Sequence, residues 1–396
     1  MGDDRLARRR ALVAAGFFAQ GLTFATLLTH LPAYTHRWDV GDAAVTALVF
    51  GVSVCAGAGS VAVGAVALRR GSASALTGAV GFLALGAALT VLAPVKAAFF
   101  AAFLLWGLAV GAVDATMNMQ AVDVQSAFGR SVLAQFHGVW SLGGIVGALW
   151  TSADGRWHVG LTPSVLVVAA VVLAIAVARA GLGGARSTGP VAALPGVEPA
   201  PDAGTGLVPW RAVALVGGAV VCFYVVDSGI SSWSSLYLHD VLRASPATAA
   251  IGFAAYQATS LVSRALADLA VRRVGSVPVV RASGVVGAAG LALVVLAPAP
   301  AVAIVGFAVT GLGLAVIAPL AFATTDHLAP AVRDVTIARL NLSNYLGFVV
   351  GGVLVGVLGA VGDLRLGYLA PLLFALAVVG LAPAFAAVRR VEQVVA

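Results

Sequence analysis

Twelve long apolar runs, each closed by charge, proline or glycine, take up most of this 396-residue chain. They fall at about 11–33, 42–67, 73–93, 97–122, 132–153 and 160–180, then at about 208–238, 246–270, 277–297, 300–323, 335–360 and 365–388. About 20 apolar residues carry a helix across a bilayer, and every run is long enough. With 61% hydrophobic and only 10% charged residues, no soluble domain hides so much apolar surface. The fold class is an all-α membrane protein with 12 transmembrane helices. Asp42 before the second run, and Ser245-Pro246 before the eighth, are helix-start punctuation. Pro319, Pro371 and Pro383 are internal and predict kinks.

Basic residues set the orientation. With the N-terminus inside, 17 Lys/Arg fall on cytoplasmic segments and 5 on external ones, with Arg264 within a span. The reverse orientation inverts that ratio, so both termini are expected in the cytoplasm of a bacterium and the spans in its inner membrane. Arg8-Arg9-Arg10 before an apolar run imitates a secretory signal, but the run continues through Leu31 without a convincing cleavage site, so a retained first helix is expected. The formal charge of +7 sits at span ends, not along one face, which speaks for topology and against a nucleic-acid partner. Cys55 and Cys222 lie inside apolar runs and read as inert buried thiols.

Residues 181–207 (GLGGARSTGPVAALPGVEPAPDAGTGL) are rich in Gly, Pro and Ala and read as a flexible cytoplasmic linker. The linker separates a six-helix bundle at 1–180 from another at 208–396. The halves echo one another: Arg69-Arg70-Gly71-Ser72 returns as Arg272-Arg273-Val274-Gly275-Ser276, Val91-Leu92-Ala93-Pro94 as Val295-Leu296-Ala297-Pro298, and Gly107-Leu108-Ala109 as Gly311-Leu312-Gly313. One offset of about 204 residues relates all three pairs, which points to a duplicated six-helix unit.

This architecture, and four stretches of sequence, resemble the major facilitator superfamily, in particular its bacterial branch related to fucose permease. The stretches are FFAQGLTFATLLTHLPAY from Phe17; GAVDATMNMQAVDVQSAFGR leading into FHGVWSLGGIVGA; DSGISSWSSLYLHDVLRASPATAAIGFAAYQ; and SRALADLAVRRVG. Fucose-permease relatives carry an acid on the fourth span with Asn four residues later, and that acid is implicated in proton coupling. Asp114 and Asn118 match it. The first-span acid of those relatives has no counterpart, since Gln20 and Thr23 occupy that helix, so the resemblance implies neither fucose as the solute nor a two-acid relay. The superfamily's loop signature Gly-x-x-x-Asp-Arg-x-Gly-Arg survives only as Gly64, Arg69 and Gly71, with Leu68 in place of the acid. The fourth-span Arg and fifth-span Gly-Pro typical of drug–proton antiporters are also missing.

An ionisable group inside an apolar span costs a few kcal/mol or more and is a functional candidate by default. Asp114 lies nine residues inside Asp123, about 13 Å of rise, and His137 six residues inside Ser131, about 9 Å, at similar depth on consecutive helices. The pair is the proton-coupling candidate: burial and a neighbouring imidazolium act oppositely on a carboxyl. The structural alternative is Asp114 bonded to a helix backbone or to Gln135, and for His137 alone packing is the plainer reading. Gln20, Tyr256 and Asn344 each lie ten residues into their helices, about 15 Å, with Trp140, Gln257, Asn341 and Tyr345 nearby. With Asn118 these amides and rings suit an uncharged or weakly charged organic solute, while one or two of them serve as helix–helix glue. Asp227, sixteen residues beyond Arg211, with His30 as partner, suggests an outer gate latch; the alternative is a solvated surface aspartate. Arg264, Asp268, Asp326 and Arg339 form a candidate inner-gate charge cluster.

The expected function is proton-coupled secondary transport of a small organic solute by alternating access, with export favoured over proton-symport of a sugar or polyol. The expected partners are the solute, protons and the lipid bilayer, with the chain acting as a monomer. No metal-binding His cluster, HExxH, nucleophile elbow or phosphate loop points to an enzyme, a metal or a cofactor. A non-transporting membrane sensor is the remaining alternative, and no soluble signalling domain favours it.

Overall fold

The structure, a computed structural model, describes residues 2–128, 132–182, 210–328 and 333–388, and these are helical almost throughout. The first half contains α1 (Gly2–Thr29), the short α2 (Leu31–Trp38), α3 (Asp42–Arg70), α4 (Ser72–Leu92), α5 (Lys96–Phe128), α6 (Leu133–Trp157) and α7 (Leu161–Gly181). The second contains α8 (Trp210–Leu236), running into a π-helical turn at Tyr237–Val241, then α9 (Pro246–Val274), α10 (Ser276–Val295), α11 (Pro300–Leu314), α12 (Ile317–Leu328), α13 (Arg333–Gly359), α14 (Leu364–Gly367) and α15 (Leu369–Leu381). The chain divides into two compact units: Met1–Ala192 with Arg243–Ala254, and Ala193–Leu242 with Ala255–Ala396. The expected linker lies mainly outside the described residues.

Ten helical stretches among the described residues, counting α11 with α12 and α14 with α15 as one each, are long and apolar enough to cross a membrane. The expected fifth and eighth spans, α6 and α9, are 25 and 29 residues long but are not among them. Length does not exclude them, since about 20 residues suffice. What lowers their hydropathy is polar content: Gln135, His137 and Ser141 on α6, and Tyr256, Gln257, Ser260, Ser263 and Arg264 on α9. Helices of this kind need protein or water, not lipid, against those faces.

The three internal prolines act as their chemistry requires. A proline lacks an N–H and its ring crowds the carbonyl four residues back. Four residues before Pro319 is Ala315, where α11 gives way to α12; four before Pro371 is Gly367, where α14 ends. Around Pro383 the last helix tightens to 3-10 geometry over Ala382–Val388.

Within the first unit α6 packs on α1, and α5 on α3 and α4; within the second α13 packs on α8, and α10 on α11 and α15. Because lipid is as apolar as a leucine side chain, such pairs are held by close van der Waals approach and hydrogen bonds. The threonines of α1 show how polar groups are kept satisfied, Thr23, Thr26 and Thr29 each donating to the carbonyl four residues back, of Ala19, Leu22 and Ala25. On α8, Ser228 Oγ donates to Phe348 O at 2.6 Å and Trp233 Nε1 to Gly352 O at 2.7 Å, tying it to α13.

The internal duplication is visible in this packing. Gly71 and Gly275, 204 residues apart, have φ of 82° and 88°, a left-handed turn that only glycine makes cheaply, and each is followed by a serine that opens a helix. Gly107 lies so close to α3 that a Cβ would press on Val52 O, and Gly311, 204 residues on, has Tyr256 O in the corresponding place. Gly143 and Gly147 press on α1 at Phe18 and Leu22 as Gly347 and Gly351 press on α8 at Val221 and Val225. The repeat read in loop motifs is thus a repeat of helix contacts.

Candidate functional site

Asp114 and Asn118 sit one turn apart on α5, both half-buried. The Asn118 amide donates to Asp114 O at 2.9 Å and lies 3.5 Å from the Asp114 carboxylate. Gln135, the alternative partner of Asp114, accepts from Arg10 Nη2 at 2.6 Å instead. His137 is exposed and its ring meets Phe17 edge-on, with centroids 5.3 Å apart.

Gln20 and Trp140 are brought together. Gln20 is buried, its amide nitrogen donating to Val110 O and its carbonyl accepting from Trp140 Nε1, both at 2.9 Å. The trio links α1, α5 and α6, and this polar edge of Gln20 and Trp140 serves as the helix–helix glue foreseen for part of the set. The indole of Trp140 is half-buried and packs on Phe24 at 5.9 Å. Removing the indole N–H in Trp140→Phe leaves the buried Gln20 carbonyl without its donor, at a cost of about 1–3 kcal/mol. A lowered thermal midpoint of purified protein with fold retained is the expected result; an unchanged midpoint would mean the bond carries no weight.

In the second unit Tyr256, fully buried, donates its hydroxyl to Asp227 Oδ1 at 2.7 Å. Side chains on a helix lean towards its N-terminus, so Tyr256 reaches back towards the Pro246 end of α9 and meets Asp227 on α8. Ser260 and Arg264 share one face of α9 with it, at spacings of four and eight residues. Arg264 is close enough to act electrostatically on both Asp227 and Tyr256. Gln257 is 1% exposed, and neither its amide nitrogen nor its oxygen has a partner among the described residues. Asn344 is half-buried and Tyr345 is 44% exposed on α13. The side chains of Asn341, Asp268, Asp326 and Arg339 lie outside the described residues.

His30 and Asp227, expected as partners in an outer latch, each have a partner within their own unit. His30 Nε2 lies 2.8 Å from Asp154 Oδ2 within its own unit, and Asp227 is engaged by Tyr256 within the other. The reason lies in the reach of α6, which continues past the apolar run to Trp157 and so carries Asp154 to the end of α1. Sequence reading stopped that span at residue 153 and passed over this acid. Of the two free cysteines, Cys222 is buried as expected and Cys55 only partly so.

Comparison with known proteins agrees with this architecture. Residues 216–395 match the family model described as Major Facilitator Superfamily. The chain is 30% identical over 384 residues to the uncharacterized transporter y4wD of Sinorhizobium fredii (strain NBRC 101917 / NGR234), covering 94% of this chain and 96% of that protein. It is 27% identical over 357 residues to an uncharacterized MFS-type transporter of Yersinia pestis, covering 89% of each. Among solved structures, a mutant form of the nucleoside transporter NupG superimposes with a TM-score of 0.72 at 15% identity, over 96% of this chain and 100% of that one. FucP, a Major Facilitator Superfamily transporter in the outward conformation, gives 0.59 at 15% identity, over 94% of this chain and 97% of that one. Relatives of nearly equal length and a shared fold carry the same conclusion as the duplicated helices and the ionisable groups within them: this multi-pass membrane protein belongs to the Major Facilitator Superfamily of transporters, and it is not an enzyme.

Proposed function

We propose that the chain is a proton-coupled secondary transporter of a small, uncharged or weakly charged organic solute, working by alternating access, with export favoured. The observation that carries this reading is Asp114, a carboxyl half-buried within an apolar span-length helix with Asn118 one turn away. A charge so placed is costly, and a group that takes up and gives back a proton is a reason to keep it. Arginine-rich segments support cytoplasmic termini and an inner-membrane location, and nothing in the reading requires more than a monomer. Gln257 supports a polar, uncharged solute: a buried amide with donor and acceptor both unmet is rare in proteins and suits a ligand or water that answers both. Trp140, Asn118, Asn344, Tyr345 and Asn341 remain candidate contacts for that solute, and Arg264, Asp268, Asp326 and Arg339 candidate gate charges.

The test is a binding screen of purified protein by thermal shift and counterflow, against small aromatic metabolites, nucleosides, amino acids, sugars and polyols. A solute at about 100 times its Kd stabilises by about 2.7 kcal/mol, enough to read. Stabilisation by aromatic or other uncharged heterocyclic compounds, with loss in Gln257→Leu, is the expected result. Stabilisation by sugars or polyols alone, with solute-dependent alkalinisation of the medium, favours uptake by proton symport instead.

A further inference from the structure

The first unit holds a buried acid–base contact away from Asp114. His30 is 4% exposed and Asp154 6%. His30 joins α1 to α2, and its Nδ1 lies 2.8 Å from Thr26 O. A carbonyl oxygen only accepts, so Nδ1 carries a hydrogen. Nε2 then faces Asp154 Oδ2 at 2.8 Å. If the ring were neutral and the carboxyl ionised, two lone pairs would meet at that distance. A proton must therefore sit between Nε2 and Oδ2, on one atom or the other.

We propose that His30 and Asp154 form a proton-binding latch in the first unit, holding one exchangeable proton whose departure breaks their tie between the end of α1 and α6 and loosens the α1–α2 corner. The surroundings make the site selective for a proton. Asp154 Oδ1 accepts from the Gly160 N–H at 2.7 Å, and Thr29 Oγ1, Thr151 Oγ1 and His30 Nδ1 lie in a short chain with separations of 2.8 and 3.1 Å. Of the remaining charged groups on the neighbouring elements, His36 on α2 and Arg243, just ahead of the α9 start that packs against Gly155, are exposed. Arg37 on α2 donates to Thr162 at 3.0 Å, Lys96 at the start of α5 donates to Asp39 O at 2.9 Å, and Arg156 and His158 at the end of α6 are exposed. On α4 there is no acid or base, and on α7 only Arg179, at the far end.

Losing the proton leaves a buried carboxylate against a nitrogen lone pair, and the ring must turn away. The His30 carbonyl accepts from the N–H groups of Ala33 and Tyr34 and opens α2, so such a turn loosens the α1–α2 corner. The latch stands on this geometry alone and goes beyond the coupling proposed at Asp114.

Nitrogen-15 histidine NMR of full-length protein in nanodiscs tests it, the His30 signal being assigned with His30→Gln. A single Nε2 transition within the pH range over which the protein stays folded is expected. Hydrogen exchange of the Ala33 and Tyr34 amides should rise through the same transition by at least tenfold beyond base catalysis. Asp154→Asn keeps a donor to Nε2 at every pH and should abolish that step. Should Asp154→Asn not fold, His30→Gln, with no titrating ring, should abolish it as well. A flat His30 signal over this range, or a step that persists in either variant, overturns the latch. Asp114→Asn should leave the step in place; loss of gradient-driven transport there bears on coupling and not on the latch.

Discussion

Asp114→Asn is expected to abolish gradient-driven transport while leaving solute exchange within about twofold of the unaltered protein. The substitution keeps the shape of the side chain and a hydrogen-bonding partner for Asn118, whose amide is held chiefly by the Asp114 backbone carbonyl at 2.9 Å. It fixes the neutral state, so a transporter that must gain and lose a proton at this position cannot convert a pH gradient into accumulation or extrusion. Exchange of solute for solute involves no net proton movement and should persist. A carboxyl kept only to join helices would give the opposite pattern: a protein less stable by about 1–3 kcal/mol, with pH-driven transport intact in what folds. Both modes are measured in proteoliposomes, with and without a pH gradient. Full gradient-driven transport by folded Asp114→Asn protein removes Asp114 from the mechanism and leaves His137, Asp227 and the His30–Asp154 pair to be tested.

The sequence carried the helices and their duplication because both depend on local features. Apolar runs bounded by Gly71, Asp42 or Ser245-Pro246 begin and end within a few residues of α3, α4 and α9, since a glycine turn or a cap acts on its own few neighbours. The proline breaks were legible for the same reason. Partners were harder to read. His30 and Asp154 are 124 residues apart, and only the adjacency of α1 and α6 brings them together. A usable signal existed, since both lie at the same ends of odd-numbered spans, the first and the fifth, but an acid one residue beyond an apolar run looks like an ordinary interfacial charge. Asp227 and Tyr256 were misplaced differently. Rise was counted from opposite ends of antiparallel helices, which hides the direction in which a tyrosine leans. Gln20 and Trp140 were both singled out, yet their bond to each other was not, because depth along a helix says nothing of its facing.

Gly111→Ala should cost more stability than any other single-methyl addition discussed for α5, and should take gradient-driven transport with it. A Cβ there would collide with the carbonyl oxygen of Ala56, and the rest of that peptide unit is also within contact. Backbone cannot turn aside as a side chain can, so α3 and α5 must separate. Overpacking of this kind costs about 1–3 kcal/mol and sometimes more. Position 315, which is 204 residues on, bears a methyl group as Ala315, and there α11 ends. Asp114 follows Gly111 by three residues on the same stripe, so a displaced α5 moves the carboxyl as well. Gly78→Ala is the control: nothing lies within 4 Å of a Cβ there, and alanine in a helix is favoured over glycine by about 0.8–1.0 kcal/mol. Thermal unfolding by fluorescence-detected size exclusion should place Gly78→Ala at or above the unaltered protein and Gly111→Ala well below it. Equal midpoints for the two variants would mean that α3 and α5 are not in backbone contact at Gly111, and that Asp114 is held by other means.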